Sequence, residues 1–127
     1  MNDGWDPDLL AAALEVANRS SDGSTHTVAC AARDDRGAIH VAMNVFHFTG
    51  GPCAELAVLG VAAAAGAHRV TSIVAVGAGD RGIIPPCGRC RQVLLDTHPQ
   101  VLVMLPGGQT ASPGDLLPYS YEWDERD

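Results

Sequence analysis

Residues 70–105 decide the fold: Val70-Thr71-Ser72-Ile73-Val74-Ala75-Val76, then Cys87-Gly88-Arg89-Cys90-Arg91-Gln92-Val93-Leu94-Leu95-Asp96-Thr97, then Val101-Leu102-Val103-Met104-Leu105. The first and third runs are aliphatic and rich in β-branched residues, without the polar alternation of a half-exposed strand. They therefore read as central strands covered on both faces. The middle run has helical character and stops at His98-Pro99, because the residue before a proline is disfavoured in the helical conformation. Strand, helix, strand is a crossover unit, so at least part of the sheet is expected to be parallel.

Outward from this unit, residues 54–65 (Ala-Glu-Leu-Ala-Val-Leu-Gly-Val-Ala-Ala-Ala-Ala) read as a nearly all-apolar helix of about three turns, closed by Gly66. Such a helix is expected to be buried on most sides. Residues 27–32 and 38–43 are strand-like and flank Arg33-Asp34-Asp35-Arg36-Gly37, an Asp-rich, Gly-ended tip suited to a hairpin turn. A shaped loop follows over 44–52. Near the start, Asp6 followed by Pro7 has the form of an N-cap and first helical position, with the helix running to about Ser20. After Gly107 there is one capped helical turn, Ser112-Pro113-Gly114-Asp115-Leu116-Leu117, and then an aromatic tail of Tyr119, Tyr121 and Trp123. Without an internal repeat or a linker, residues 1–127 are expected to form a single α/β domain.

The net charge is −7, and all eight basic residues are arginine. Eight scattered arginines do not supply the basic face that a polynucleotide would need, so a small neutral or cationic molecule is the expected partner. No stretch approaches the roughly 20 apolar residues of a membrane span. The opening Met1-Asn2-Asp3-Gly4-Trp5-Asp6 is acidic where a secretory signal would be basic, which points to the cytoplasm. Cys30, Cys53, Cys87 and Cys90 could form two disulfides in a secreted protein, but in that reducing compartment the cysteine spacings point instead to metal binding or catalysis.

Two signals open the two buried helices, Cys53-Ala54-Glu55 and Pro86-Cys87-Gly88-Arg89-Cys90. Cys87 and Cys90, three residues apart, lie on one helical face and can hold one metal, with Cys53 as a third ligand. Three protein ligands leave the fourth tetrahedral position to water, the pattern of a catalytic zinc. Helix N-termini favour the thiolate form that a metal requires. Three thiolates around Zn²⁺ give a net charge of −1, so a nearby cation is wanted. Arg89 and Arg91 can supply it, Arg89 more directly because it lies within the Cys-x-x-Cys loop. Glu55, two residues beyond Cys53, is badly placed to chelate with it but well placed to exchange protons with a metal-activated water. The pattern is hydrolytic.

His- or Cys-x-Glu followed by Pro-Cys-x-x-Cys is the signature of the zinc nucleoside and nucleobase deaminases. Asn44-Val45-Phe46-His47-Phe48-Thr49-Gly50-Gly51-Pro52-Cys53-Ala54-Glu55-Leu56-Ala57-Val58-Leu59-Gly60, the run 81–99 around Pro86-Cys87-Gly88-Arg89-Cys90-Arg91-Gln92, and the tail Leu116-Leu117-Pro118-Tyr119-Ser120-Tyr121-Glu122-Trp123 closely resemble the blasticidin S deaminases of the cytidine deaminase-like superfamily. The resemblance covers most of residues 27–123. It implies a three-layer α/β/α fold with a five-stranded mixed sheet, a homotetramer, a bound Zn²⁺, and hydrolytic loss of ammonia from C4 of a small-molecule cytosine nucleoside. By position it implies Cys53, Cys87 and Cys90 as zinc ligands and Glu55 as the proton shuttle. It also implies Thr27, Asn44 and Ala54 as substrate-pocket residues, with Tyr121 and Trp123 helping to close the site.

The chain departs from the pattern of ordinary cytidine deaminases. Those resemble Asn-x-Glu in the ribose-binding segment, where this chain has Asn44-Val45-Phe46. They commonly carry arginine directly after Cys-Ala-Glu and alanine within Cys-x-x-Cys, where Leu56 and Arg89 stand here. Loss of a ribose hydrogen-bond acceptor turns the expectation away from plain cytidine and toward blasticidin S. A cytidine or deoxycytidine deaminase of pyrimidine salvage is the alternative, and a non-catalytic zinc-bound scaffold a third. Elsewhere, Cys30 reads as a small buried hydrophobe, and His26, His40, His68 and His98 as surface or turn residues. His47, in the loop before the zinc motif, is open to a pocket role, and Gly50-Gly51 either permits a tight loop or lets backbone approach the substrate.

Overall fold

In the computed structural model, which describes residues 4–127, the chain runs α1 (Pro7–Ser20), β1 (Val28–Asp34), β2 (Ile39–Met43), α2 (Ala54–Ala64), β3 (Val70–Gly77), β4 (Gly82–Ile83), α3 (Gly88–Thr97), β5 (Leu102–Leu105), β6 (Gln109–Ala111) and α4 (Pro113–Leu116). The opening Met1-Asn2-Asp3, on which the expectation about export partly rests, lies outside the described residues. Among the described residues no helix is long and apolar enough to cross a membrane.

The sheet order is β2-β1-β3-β5-β6, with β4 paired to β3 off this path. Strand β3 is antiparallel to β1 and parallel to β5, with Ser72 opposite Leu102 and Ile73 opposite Val103. The crossover expected from residues 70–105 is therefore present, and the sheet is mixed. Five strands form the main path as expected. The additional two-residue β4 arises where the chain turns back on β3, Val76 opposite Ile83 and Gly77 opposite Gly82.

Alternation along the apolar strands builds two cores, since successive side chains point to opposite faces. Ala29, Ala31, Val74, Val76 and Met104 meet Leu9, Ala13, Val16 and Ala17 of α1 on one face. Cys30, Ala32, Ile73, Ala75 and Val103 meet Ala54, Val58 and Ala62 of α2 and Leu94 of α3 on the other. The result is three layers, α1 against the sheet against α2 and α3. Asp6 starts α1 by accepting the Leu9 amide at 3.1 Å and receives Arg33 of β1 at 2.6 Å, tying helix to strand.

One expectation is corrected here. Helix α2 is not buried on most sides of this chain: Ala54, Glu55, Val58 and Ala62 face inward, while Gly60, Val61 and Ala64 face out, Val61 at 43% exposure. A single sheet face can cover only one side of a helix, so a helix apolar all round keeps an uncovered apolar stripe.

Candidate metal centre and its pocket

Helices α2 and α3 both begin at the same end of the sheet, and each is preceded by a cysteine. Cys53 is the N-cap of α2 and Cys87 that of α3, and neither helix has a side-chain cap hydrogen bond. The first-turn amides are thus free to face sulfur. Cys90 sits one turn into α3, fully buried. The three sulfurs lie within 4.8 Å of one another, with Cys53 to Cys87 and Cys87 to Cys90 each at 3.6 Å. A tetrahedral zinc about 2.3 Å from each thiolate needs sulfurs about 3.8 Å apart, so the donor set and its spacing fit that ion.

The local electrostatics of Cys87 and Cys90 differ. Burial works against the Cys87 thiolate, but the N–H groups of Cys90 and Arg89 and the neighbouring thiols bring its pKa below the ordinary value. For Cys90, burial and then the charge of Glu55 push the thiol up, so without metal it holds its proton and metal binding must displace it. Glu55 is only 7% exposed, and burial raises its pKa above the ordinary value of 4.5, opposed by its own backbone amide and by the Cys90 thiol. A carboxyl moved upward in this way exchanges protons more readily near neutral pH.

The two arginines are used differently. One nitrogen of Arg89, Nη2, donates to the Gly51 carbonyl at 2.6 Å and lies 3.5 Å from Cys53 Sγ. Arg91 points away from the sulfurs, donating to the Pro86 and Leu116 carbonyls at 2.7 and 2.9 Å. The cation beside the thiolates is Arg89, while Arg91 fastens the α3 start to α4.

A cavity of about 320 Å³ opens over the cluster, lined by Asn44, Val45, Phe46, His47, Ala54 and Glu55 among others. Asn44 Oδ1 accepts from the Thr27 and Val28 amides at 2.8 and 2.9 Å. That pair of donors fixes the side-chain orientation and leaves the NH₂ group as the free end. His26 Nδ1 bonds the Asn44 carbonyl at 2.7 Å, so this histidine, expected to be a surface or turn residue, acts as a staple for the pocket wall. Thr27 contributes through its backbone and is absent from the pocket lining. Tyr121 and Trp123 are not brought to this cavity. They are 57% and 69% exposed and border a separate hollow with Leu95 and Asp96, and the Tyr121 hydroxyl bonds Asp127 within the tail. Sequence reasoning gave no role to Val28, Ile84 and Pro85, which complete the wall; the Pro85-Pro86 pair before Cys87 was the available signal.

Three cysteines spaced to hold zinc, with a buried carboxylate at their edge and in this strand order, fit a class: zinc-dependent hydrolases that remove the exocyclic amine of a nucleobase. Comparison with known proteins places the chain within it. Residues 3–105 match the family described as "Cytidine and deoxycytidylate deaminase zinc-binding region", and the chain belongs to that family. It is 34% identical over 104 residues to the cytidine deaminase of Mycobacterium tuberculosis, covering 80% of this chain and 77% of that one. Among solved structures, the cytidine deaminase of Mycobacterium tuberculosis superposes with a TM-score of 0.77 at 30% identity, covering 93% of this chain and 98% of that one. That of Burkholderia pseudomallei superposes with a TM-score of 0.74 at 31% identity, covering 91% and 98% respectively.

Proposed function

We propose that this single-domain, cytoplasmic enzyme deaminates a cytosine nucleoside whose N1 substituent is not a plain ribose, with blasticidin S as the substrate and antibiotic detoxification as the role. The observation that carries this reading is Phe46. It lines the mouth of the pocket at 66% exposure, at the position where the resemblance puts a carboxylate in deaminases of cytidine. A site that lacks a buried acceptor for sugar hydroxyls gives up the discrimination such a group provides.

Cys53, Cys87 and Cys90 would hold the zinc, which when bound supplies the Lewis acidity that makes water a nucleophile at neutral pH. Glu55 carries the proton traffic in two transfers: it takes one proton from the attacking water to N3, and then the second, from the new C4 hydroxyl, to the amine, so that ammonia leaves as the C4 carbonyl forms. Ala54 and Asn44 line the ring and its substituent, Asn44 offering a donor. Thr27 holds Asn44, and Arg89 offsets the excess negative charge of three thiolates. Tyr121 and Trp123 stand free of their own chain's pocket, which supports their closing the pocket of a neighbouring copy in a homotetramer. The apolar outer stripe of α2 is a surface suited to such assembly.

A second reading, deamination of cytidine or deoxycytidine, is favoured by the 34% identity to a cytidine deaminase. Ammonia release and the accompanying ultraviolet change, measured in parallel on blasticidin S and cytidine with Glu55→Gln as the blank, separate the two. Higher kcat/KM on blasticidin S is the expected outcome. Preference for cytidine replaces the first reading by the second, and turnover of neither, with zinc bound, points to another cytosine compound or to a scaffold.

A further inference from the structure

The loop that carries Phe46 is built as a pinched hairpin. Val45 N donates to the Pro52 carbonyl and Gly50 N to the His47 carbonyl, both at 3.0 Å. Gly51 lies so close to the outgoing chain that a Cβ there would run into the Val45 carbonyl oxygen. Beyond this pinch the tip, 46–50, displays Phe46, His47 and Phe48, the last two with ring centroids 4.5 Å apart. The outgoing leg is tied to the body of the protein several times, through Phe46 N to the Thr25 carbonyl at 2.9 Å, Asn44 to the Thr27 and Val28 amides, and His26 to the Asn44 carbonyl. On the returning leg, among the described residues, the one side chain bonded to Gly51 or Pro52 is Arg89.

We infer that Arg89 is a positioning residue for the pocket rim: through the Gly51 carbonyl it clamps the returning leg of loop 44–52 to the start of α3, holding the aromatic tip in register with the sulfur cluster. The inference rests on the zinc deaminase reading of the site and adds a second task to the arginine's charge. Both tasks fall to one nitrogen, with a carbonyl at 2.6 Å and the Cys53 sulfur at 3.5 Å. A charge-assisted bond of this kind is stronger than a neutral one and directional. A guanidinium suits it because its donors lie in a fixed plane, whereas the ammonium of a lysine keeps the charge without that geometry. If counter-charge were the whole role, nothing in the chemistry would require the carbonyl contact.

The test compares Arg89→Met, which removes clamp and charge, with Arg89→Lys, which keeps the charge. Three readouts are needed: zinc per chain, KM against kcat, and hydrogen exchange at the Val45 and Gly50 amides in the zinc-loaded protein. In Arg89→Met these two amides are expected to exchange roughly tenfold faster, with a comparable rise in KM and a fall in kcat. In Arg89→Lys the zinc content is expected to hold while exchange and KM rise, so that KM changes by a larger factor than kcat. Lysine that restores slow exchange still supports a clamp, one that any cation can make. Unchanged exchange in Arg89→Met overturns the inference and leaves Arg89 a counter-charge alone. Wild-type protein that binds no zinc overturns the deaminase reading instead, and the exchange of the two amides then decides the clamp by itself.

Discussion

Helices α1 and α2 cover opposite faces of one sheet, and they are finished in opposite ways. Helix α1 buries Leu9, Ala13, Val16 and Ala17 on one side, turns Asp8, Glu15 and Arg19 to water, and is capped by Asp6. Glu15 and Arg19, one turn apart, pair at 3.0 Å on its outer face. Helix α2 has one charged residue, Glu55, which faces inward, and its outer face is Gly60, Val61 and Ala64. Its first turn has no capping side-chain bond, because the residue at that place is the ligand Cys53. A helix that meets every local rule serves stability. One that breaks two of them, an uncapped start and an apolar outside, fits the metal site at its inner end and the assembly proposed for its outer face.

Substitutions can break this contrast or sharpen it. The largest effect is expected at the inner end of α2, where Glu55→Gln should lower kcat at least about a hundredfold while zinc content and the urea midpoint stay unchanged; retained turnover would take the proton shuttle away from Glu55. Next comes Leu9→Ala in α1, expected to cost about 2–5 kcal/mol in urea unfolding, with kcat per folded molecule unaffected. If activity fell with it, the division of labour between the helices would be wrong. On the outer face of α2, the homotetramer proposed above predicts that Val61→Glu shifts sedimentation toward smaller species, because a charge placed in an apolar interface must be desolvated. An unchanged sedimentation profile would exclude this stripe from the interface. The smallest effect is expected for Asp6→Asn, which retains a capping side chain but loses the charge. The bond from Arg33 lowers the Asp6 pKa from its ordinary 3.8. The charge therefore stabilises the fold above that value, and this stabilisation is lost as pH falls through the depressed native pKa. Wild type should exceed the variant by no more than about 1 kcal/mol at neutral pH, with the two converging in strong acid.

Much of this architecture was legible because it depends on local pattern. The continuous apolar runs at 70–76 and 101–105 announced buried strands, and Asp6-Pro7 and Ser112-Pro113 announced helix starts. The metal motif was legible for the same reason, since Cys87 and Cys90 share a helical turn. What escaped depends on tertiary company. Strands β4 and β6 are two and three residues long, too short for a period to emerge. The outer face of α2 could not be separated from its inner face, as alanine and valine look alike on both. Tyr121 and Trp123 alternate with polar residues in the tail, but that spacing does not say which surface they would meet. His26 gave no sign of its bond to Asn44, because that contact joins segments 18 residues apart.

The sulfurs of Cys53 and Cys87 come from positions 34 residues apart, on helices flanking the central strand β3. A metal ion across them is consequently a cross-link as well as a reagent, pinning two helix starts that the chain otherwise holds through their shared sheet, their common core and the Arg89 bond to Gly51. Because the unfolded chain offers no such ready-made cluster, the free energy of loading adds to the free energy of folding and grows with the logarithm of free metal. The resistance of the enzyme to heat is then a property of its surroundings too: a chelator should lower the melting temperature before it touches a single hydrogen bond of the sheet.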